Sequence, residues 1–185
     1  MEVKDGRYAH GDAPPNVVLD TGTLIRGPRS FARFKSTRTL ALVVGKNCTL
    51  DGVHFALNPD ARLTIGDDCA FSGSLILVEA EITIGNRVVI GWNAVLSDSD
   101  FHPIDPDERR LDAIACSTLP EGPRRHYASK PVVIGDDVFV GHNATVLKGV
   151  TIGAGAFIEP GAMVTRDIPP GARVLGNPAI VVTEA

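Results

Sequence analysis

Residues 134–168, IGDDVFVGHNATVLKGVTIGAGAFIEPGAMVTRDI, carry an apolar residue at every sixth position. These apolar markers are Ile134, Val140, Val146, Ile152, Ile158 and Val164. A small or branched residue follows each marker by four positions, at Val138, Ala144, Val150, Ala156, Ala162 and Ile168. A period of six fits neither an amphipathic helix nor an isolated hairpin. It indicates short strands joined by sharp turns, three to a coil, with the markers pointing inward.

The same period occurs upstream of this stretch. It is carried by Val78, Ile84, Ile90 and Leu96, with Ile82, Val88 and Ala94 in the second position. Weaker coils begin near Ile65 and Val44. Stacked coils bury a narrow aliphatic column, which agrees with an aromatic content of only 5%. The alternative fold, a sandwich of alternating strands, does not explain markers in strict register over six repeats.

The repeat divides the chain into three parts. Residues 1–37 lack a clear hexad and are predicted to form an N-terminal arm, residues 38–168 the repeat domain, and residues 169–185 a C-terminal tail. The stretch from residue 26 to residue 38 carries four arginines, which predict a solvated edge, with a phosphate or a partner subunit as alternatives: Arg26, Arg29, Arg33 and Arg38. Residues 98–130 interrupt the repeat, and so long a loop without its own periodicity is usually functional or disordered.

Composition excludes several classes of protein. With 18 basic and 22 acidic residues the formal net charge is −4, which argues against a nucleic-acid binder. No apolar run approaches the roughly 18 residues of a membrane helix. The polar N-terminus does not resemble a secretory signal, and three widely spaced cysteines form no disulfide framework. We therefore expect a cytoplasmic protein with reduced thiols.

The interrupting loop contains the candidate base, His102, in the stretch SDSDFHP. Histidine accepts a proton near neutral pH and is the commonest general base. Asp98 or Asp100 is placed to hold one ring nitrogen and direct the other toward a substrate. We predict His102 and Asp100 as the catalytic residues; the alternative is a histidine with no role in catalysis.

Two further motifs narrow the interpretation. HPIDPDERR (102–110), together with VTRDIPPGARVLGNPA (164–179), resembles the maltose and galactoside O-acetyltransferase branch of the hexapeptide-repeat acyltransferases. The resemblance covers about residues 71–179. It implies a left-handed parallel β-helix, an exception to the usual right-handed crossover. It also implies direct transfer of an acetyl group from acetyl-CoA to a hydroxyl, with His102 as general base.

The resemblance also suggests the residues that bind the coenzyme. Gly141 and His142 match a turn that contacts CoA, and His142 is expected to use its backbone alone. Pro160 stands where the family usually has a small residue. Thr165 and Arg166 match a Thr-Lys pair near the phosphates, with an ion pair to Asp167 as the other interpretation of Arg166. The family's basic residues after GNPA are missing here, so another arginine replaces them or CoA binds more weakly.

For the acceptor, Glu79 matches an acidic residue that contacts the sugar. Ser74 lies where the family has an asparagine-bearing segment, which indicates an acceptor other than maltose or a galactoside. Trp92, the only tryptophan, is a candidate for stacking on a sugar or on a neighbouring subunit. Partial burial of Trp92 and a solvent-facing role for Glu79 are the alternatives.

The predicted function is an acetyl-CoA-dependent O-acetyltransferase acting on a sugar or glycan hydroxyl, assembled as a homotrimer with sites between subunits. An N-acyltransferase acting on an amino sugar or an antibiotic, and a non-catalytic assembly module, are alternatives. A zinc carbonic anhydrase on the same helix is excluded, because no two histidines have the spacing of its ligands. No metal is expected.

Overall fold

The computed structural model describes residues 5–117 and 127–182. It contains one helix, α1 (Pro106–Ala115), and short strands. The strands before α1 are β1 (Arg7–Tyr8), β2 (Val17–Leu19), β3 (Leu24–Arg26), β4 (Arg33–Phe34), β5 (Leu42–Val44), β6 (Thr49–Asp51), β7 (His54–Leu57), β8 (Arg62–Ile65), β9 (Ala70–Ser72), β10 (Leu75–Val78), β11 (Glu81–Ile84), β12 (Val89–Ile90) and β13 (Val95–Ser97). Those after it are β14 (Val132–Ile134), β15 (Phe139–Val140), β16 (Thr145–Val146), β17 (Thr151–Ile152), β18 (Phe157–Ile158), β19 (Met163–Val164), β20 (Arg173–Leu175) and β21 (Ile180–Val181).

The strands form three sheets that wind around one column. The order is β1-β3-β6-β9-β12-β15-β18-β20-β21 in sheet A, β17-β14-β11-β8-β5-β2 in sheet B and β19-β16-β13-β10-β7-β4 in sheet C. All pairings are parallel except β20 with β21. This confirms the predicted left-handed parallel β-helix, with about seven coils. Every apolar marker from Ile134 to Val164, and every second-position residue that follows one, is buried.

The sheets extend further at both ends than the repeat predicts. Within the predicted arm, β1 to β4 pair in register with later strands, for example Leu24 with Thr49. Leu19, Ile25 and Phe31 are also six residues apart, and the first two are buried. Arginine, proline and polar residues between them concealed this hexad. Within the predicted tail, β20 continues sheet A by pairing with β18.

The loop at residues 98–130 differs from its prediction because it contains helix α1. Asp105 caps this helix, since its carboxylate accepts the N–H groups of Asp107 and Glu108 at 3.0 and 2.9 Å. Pro106 occupies the first turn, where no N–H partner is needed. The helix was missed because it turns a carboxylate, Asp112, toward the interior instead of an apolar stripe. Residues 118–126 of the loop lie outside the described residues.

In the parts of the chain that the structure describes, no helix combines the length and apolar character needed to cross a bilayer.

Candidate active site

The loop leaves and re-enters the β-helix at the corner between sheets C and B. Its two ends are joined there, because Ser99 and Ser129 form an antiparallel bridge. The N–H of Asp100 donates to the carbonyl of Ala128 at 3.0 Å, and that of Lys130 donates to the carbonyl of Asp98 at 2.8 Å. These bonds hold residues 98–100 against residues 128–130, where the loop returns, and so fix the starting point of the segment that carries His102.

Asp98 is a buried carboxylate at this corner. Its two oxygens accept the backbone N–H groups of Glu79, Ala80 and Glu81 at 2.7, 2.7 and 2.8 Å. Burial raises the pKa of Asp98, while these three amide donors oppose that shift. The side chain therefore ties the corner that carries Glu79 to the base of the loop.

Both the backbone and the ring of His102 are held in place by hydrogen bonds. The preceding residue, Phe101, has a φ of 64°, and the N–H of His102 donates to the carbonyl of Asp100 at 2.8 Å. A positive φ in a bulky residue is strained and uncommon. On the ring, Nδ1 lies 2.7 Å from Oδ2 of Asp112. This contact assigns the proton to Nδ1 and leaves Nε2 free to accept one.

Asp112 is the carboxylate that orients His102, and it was not among the predicted site residues. Its side chain is 0% exposed, against 49% for His102. Helix α1 supplies Asp112 from ten residues further along the chain, and Arg109 binds the carbonyls of Pro103 and Ile104 at 3.2 and 2.7 Å. Arg109 thereby fastens the helix to the segment after His102. Because α1 has no apolar stripe, its sequence does not indicate that one of its faces, and with it Asp112, is buried.

Asp100, the predicted catalytic partner, occupies another position. Its carboxylate accepts a hydrogen bond from the Nζ of Lys148, which belongs to the next coil at the same corner. Asp100 is thus correctly placed near His102 in the loop, but its side chain faces Lys148. The predicted contact is therefore corrected: the carboxylate that lies against the His102 ring is that of Asp112 and not that of Asp100.

His102 lines a cavity of about 600 Å³, called here the His102 cavity. Glu79 lies on its wall and is held by two neighbours. The hydroxyl of Tyr127 donates to Oε2 of Glu79 at 2.7 Å, and Nδ2 of Asn58 donates to the same oxygen. Asn58 Nδ2 also donates to the Tyr127 hydroxyl at 2.8 Å. The structure therefore brings the predicted base and the predicted acceptor residue Glu79 to one cavity, and adds Asn58 and Tyr127.

The other two acceptor candidates lie at the corner between sheets A and C. Ser74 is buried, and its hydroxyl has no hydrogen-bond partner within the described residues. It borders a second cavity of about 480 Å³, called here the Ser74 cavity, with Arg33 lining both cavities. Trp92 is 64% exposed and covers Gly73, so the structure groups it with this corner and not with His102.

The predicted coenzyme residues lie at the two corners that flank sheet C. His142 and Pro160 follow Trp92 in successive coils at the corner between sheets A and C. These coils approach closely at Gly141, where an added Cβ would lie 2.5 Å from the Pro160 nitrogen. Thr165 and Arg166 are exposed at the opposite corner, after β19. Asp167, the suggested partner of Arg166, accepts the N–H of Thr151 at 2.7 Å.

Comparisons with known proteins agree with this architecture. Residues 131–166 match the family model "Bacterial transferase hexapeptide (six repeats)". Nodulation protein L of Rhizobium meliloti (strain 1021) is 45% identical over 107 residues, which are 58% of this chain and 51% of that protein. The galactoside O-acetyltransferase of Lactococcus lactis is 30% identical over 139 residues, 75% of this chain and 60% of that protein. The chain thus spans between half and three fifths of these curated relatives.

A solved structure is similar over most of the chain. It is a hexapeptide-repeat acetyltransferase from Vibrio cholerae, determined in complex with acetyl coenzyme A. The TM-score is 0.56 and the sequence identity 30%, covering 76% of this chain and 66% of that one. The predicted resemblance is therefore found both in sequence and in three-dimensional structure.

Proposed function

The chain is a hexapeptide-repeat protein, and from that premise we propose that it is an acetyl-CoA-dependent O-acetyltransferase with His102 as its general base. The observation that carries this proposal is the contact between His102 Nδ1 and the buried carboxylate of Asp112, at the edge of a cavity that also contains Glu79. Two of the similar proteins are named as acetyltransferases, the one from Lactococcus lactis and the solved structure from Vibrio cholerae, and both support the reaction class.

The proposed reaction transfers the acetyl group in one displacement. Nε2 of His102 accepts the proton of the acceptor hydroxyl while the hydroxyl oxygen attacks the thioester carbonyl carbon. The carbon–sulfur bond then breaks, and the protonated imidazole returns the proton to the departing thiolate. Asp112 stabilises the imidazolium that exists between these steps. The products are an acetyl ester and free coenzyme A, so atoms and charge balance.

Glu79 is proposed to bind the acceptor. Tyr127 and Asn58 hold one of its oxygens and so fix the orientation of the carboxylate in the cavity. Carboxylates bind sugar hydroxyls through strong, directional hydrogen bonds. A sugar or related polyol whose reacting hydroxyl lies against His102 is the acceptor class that this arrangement favours.

Acetyl-CoA would be held along sheet C. Exposed Thr165 and Arg166 offer a hydroxyl and a guanidinium to its phosphates. At the corner between sheets A and C, where the coils approach closely at Gly141, backbone groups of His142 and Pro160 are available to the coenzyme. Within one chain, the width of sheet C separates the corner that carries His142 and Pro160 from the corner that carries His102. We therefore propose a homotrimer, in which the corner that carries His102 in one subunit contacts the corner that carries Trp92 in another. Light scattering should give three times the chain mass; a monomer would contradict this assembly.

The central experiment measures thiol release from acetyl-CoA with neutral sugars, charged sugars and amino sugars as acceptors. We expect turnover with at least one hydroxyl acceptor, and a loss of about 10²-fold or more in kcat for His102→Ala, as expected for removal of a general base. His10 is exposed and does not line the cavity, so His10→Ala is the matched control. Turnover that survives in His102→Ala would overturn the mechanism. Products acetylated at nitrogen would favour the N-acyltransferase.

A further inference from the structure

Two basic residues line the His102 cavity where it borders β4. Arg33 lies on β4, at one edge of sheet C, and Lys35 follows it by two residues. Both side chains line the cavity together with His102 and Glu79. Within residues 5–117 and 127–182, neither side chain forms an ion pair or a hydrogen bond. From this arrangement we infer that the acceptor carries an anionic group, phosphate or carboxylate, that binds Arg33 and Lys35. The inference rests on the proposed function.

The distances suit one sugar-sized molecule. Arg33 pairs with Ala56, and Ala56 pairs with Leu77. By the same register, Lys35, Asn58 and Glu79 follow β4, β7 and β10 at equivalent positions. Strand spacing places Lys35 two coils, or about 10 Å, from Glu79. An acceptor with one hydroxyl at His102 and its ring at Glu79 would therefore extend its far end to the two cations.

The charge balance of the surrounding surface also favours an anion. Arg33 lines the Ser74 cavity as well, where Arg29 and His54 are its neighbours. Among the described residues that line the two cavities, Glu79 is the only carboxylic acid, and it already accepts hydrogen bonds from Tyr127 and Asn58. Guanidinium and ammonium groups with no acidic partner favour phosphate or carboxylate oxygens.

This anion is distinct from the phosphates of coenzyme A. β4 and β19 are the opposite edge strands of sheet C, and Thr165 directly follows β19. Five strand spacings, about 24 Å, separate Arg33 from Thr165. The coil that supports His102 lies between them. The donor and the acceptor therefore approach the base from opposite ends of the sheet, each bringing negative charge to its own basic residues.

The first test measures binding of pyrophosphate to the full chain by calorimetry. We expect saturable binding that weakens at least tenfold in the double variant Arg33→Gln/Lys35→Gln and changes less than twofold in Arg38→Gln. Arg38 is an exposed arginine of the same coil that lines neither cavity, so it is a matched control for charge. Binding that is insensitive to the double variant, or that is lost in Arg166→Gln instead, would overturn the inference.

The second test compares matched acceptors in the thiol-release assay: glucose, glucose 6-phosphate and glucuronate. We expect a lower KM for one of the charged sugars than for glucose, and at least a tenfold loss of that preference in the double variant, whereas Arg38→Gln should keep it. Preference for the phosphate or for the uronic acid distinguishes the two anions. A wild type that prefers glucose would refute the inference and leave the transferase intact. Pyrophosphate binding at Arg33 and Lys35 without any acetyl transfer would refute only the transferase.

Discussion

The contact between Asp112 and His102 determines which ring nitrogen faces the cavity. Asp112→Asn preserves the size of this buried side chain but replaces a carboxylate with an amide that also donates. We expect kcat to fall at least tenfold, part of the roughly 10²–10⁴-fold contribution of a general base, while the KM for acetyl-CoA stays the same. Steady-state kinetics measures both parameters.

The control for this variant is Asp107→Asn, an exposed change in the same helix whose carboxylate has no hydrogen bond to His102 in the described structure. Its kcat should stay within twofold of wild type. If Asp112→Asn has wild-type kcat, the carboxylate is not needed to orient the imidazole.

Single residues also show what could be read from the sequence. His102 and Glu79 were predicted and lie in one cavity, because each is fixed by its place in a motif or a coil. Asp112 and Tyr127 were missed, because the loop brings them to the site from outside the repeat. Asp100 was chosen for its proximity along the chain, but Lys148 competes for its carboxylate.

At the scale of elements, helix α1 holds Asp112 in place, and its first turn depends on the Asp105 cap. Asp105→Ala removes the acceptor for two N–H groups, which costs about 1 kcal/mol of helix stability. We expect faster amide exchange throughout α1 and a lower kcat, because Asp112 then contacts His102 for less of the time. Hydrogen–deuterium exchange and steady-state kinetics measure these two effects.

Asp105→Asn is the matched control for this cap, because asparagine caps helices as well as aspartate does. It should retain near wild-type exchange in α1 and near wild-type kcat. Loss of activity in both variants would point to a role of the Asp105 charge instead of the cap.

The strands show a second limit of sequence reasoning. Hexads from Ile134 onward were predicted residue by residue, because glycine and asparagine at the corners leave the period uninterrupted. The coils of residues 17–34 were missed, since Leu19 and Ile25 stand among arginine, proline and polar residues. Pairing with the next coil, for example Leu24 with Thr49, depends on long-range contact and is therefore not visible in a local pattern.

At the scale of the whole molecule, each coil packs only on its neighbours, so the effect of a core substitution depends on its position along the column. Ile84 and Ile25 are both essentially fully buried. Ile84→Ala, in the middle, should lower the free energy of unfolding by about 2–5 kcal/mol. Ile25→Ala, near the N-terminal end, should shift the main transition less, because the first coil can unfold alone. Urea denaturation measures both changes; equal losses would show a single cooperative unit.

The corner at Asp98 has a consequence for how such proteins diversify. The chain departs there for some thirty residues, yet β13 still lies beside β16 in the same sheet, and the bridge between Ser99 and Ser129 closes the gap. No described residue between those two serines belongs to the buried aliphatic column or to a strand of the three sheets. The corner is therefore an insertion point for a loop of variable content. We expect that evolution, or an engineer, can exchange the inserted segment, and with it His102 and helix α1, while the three sheets keep their structure.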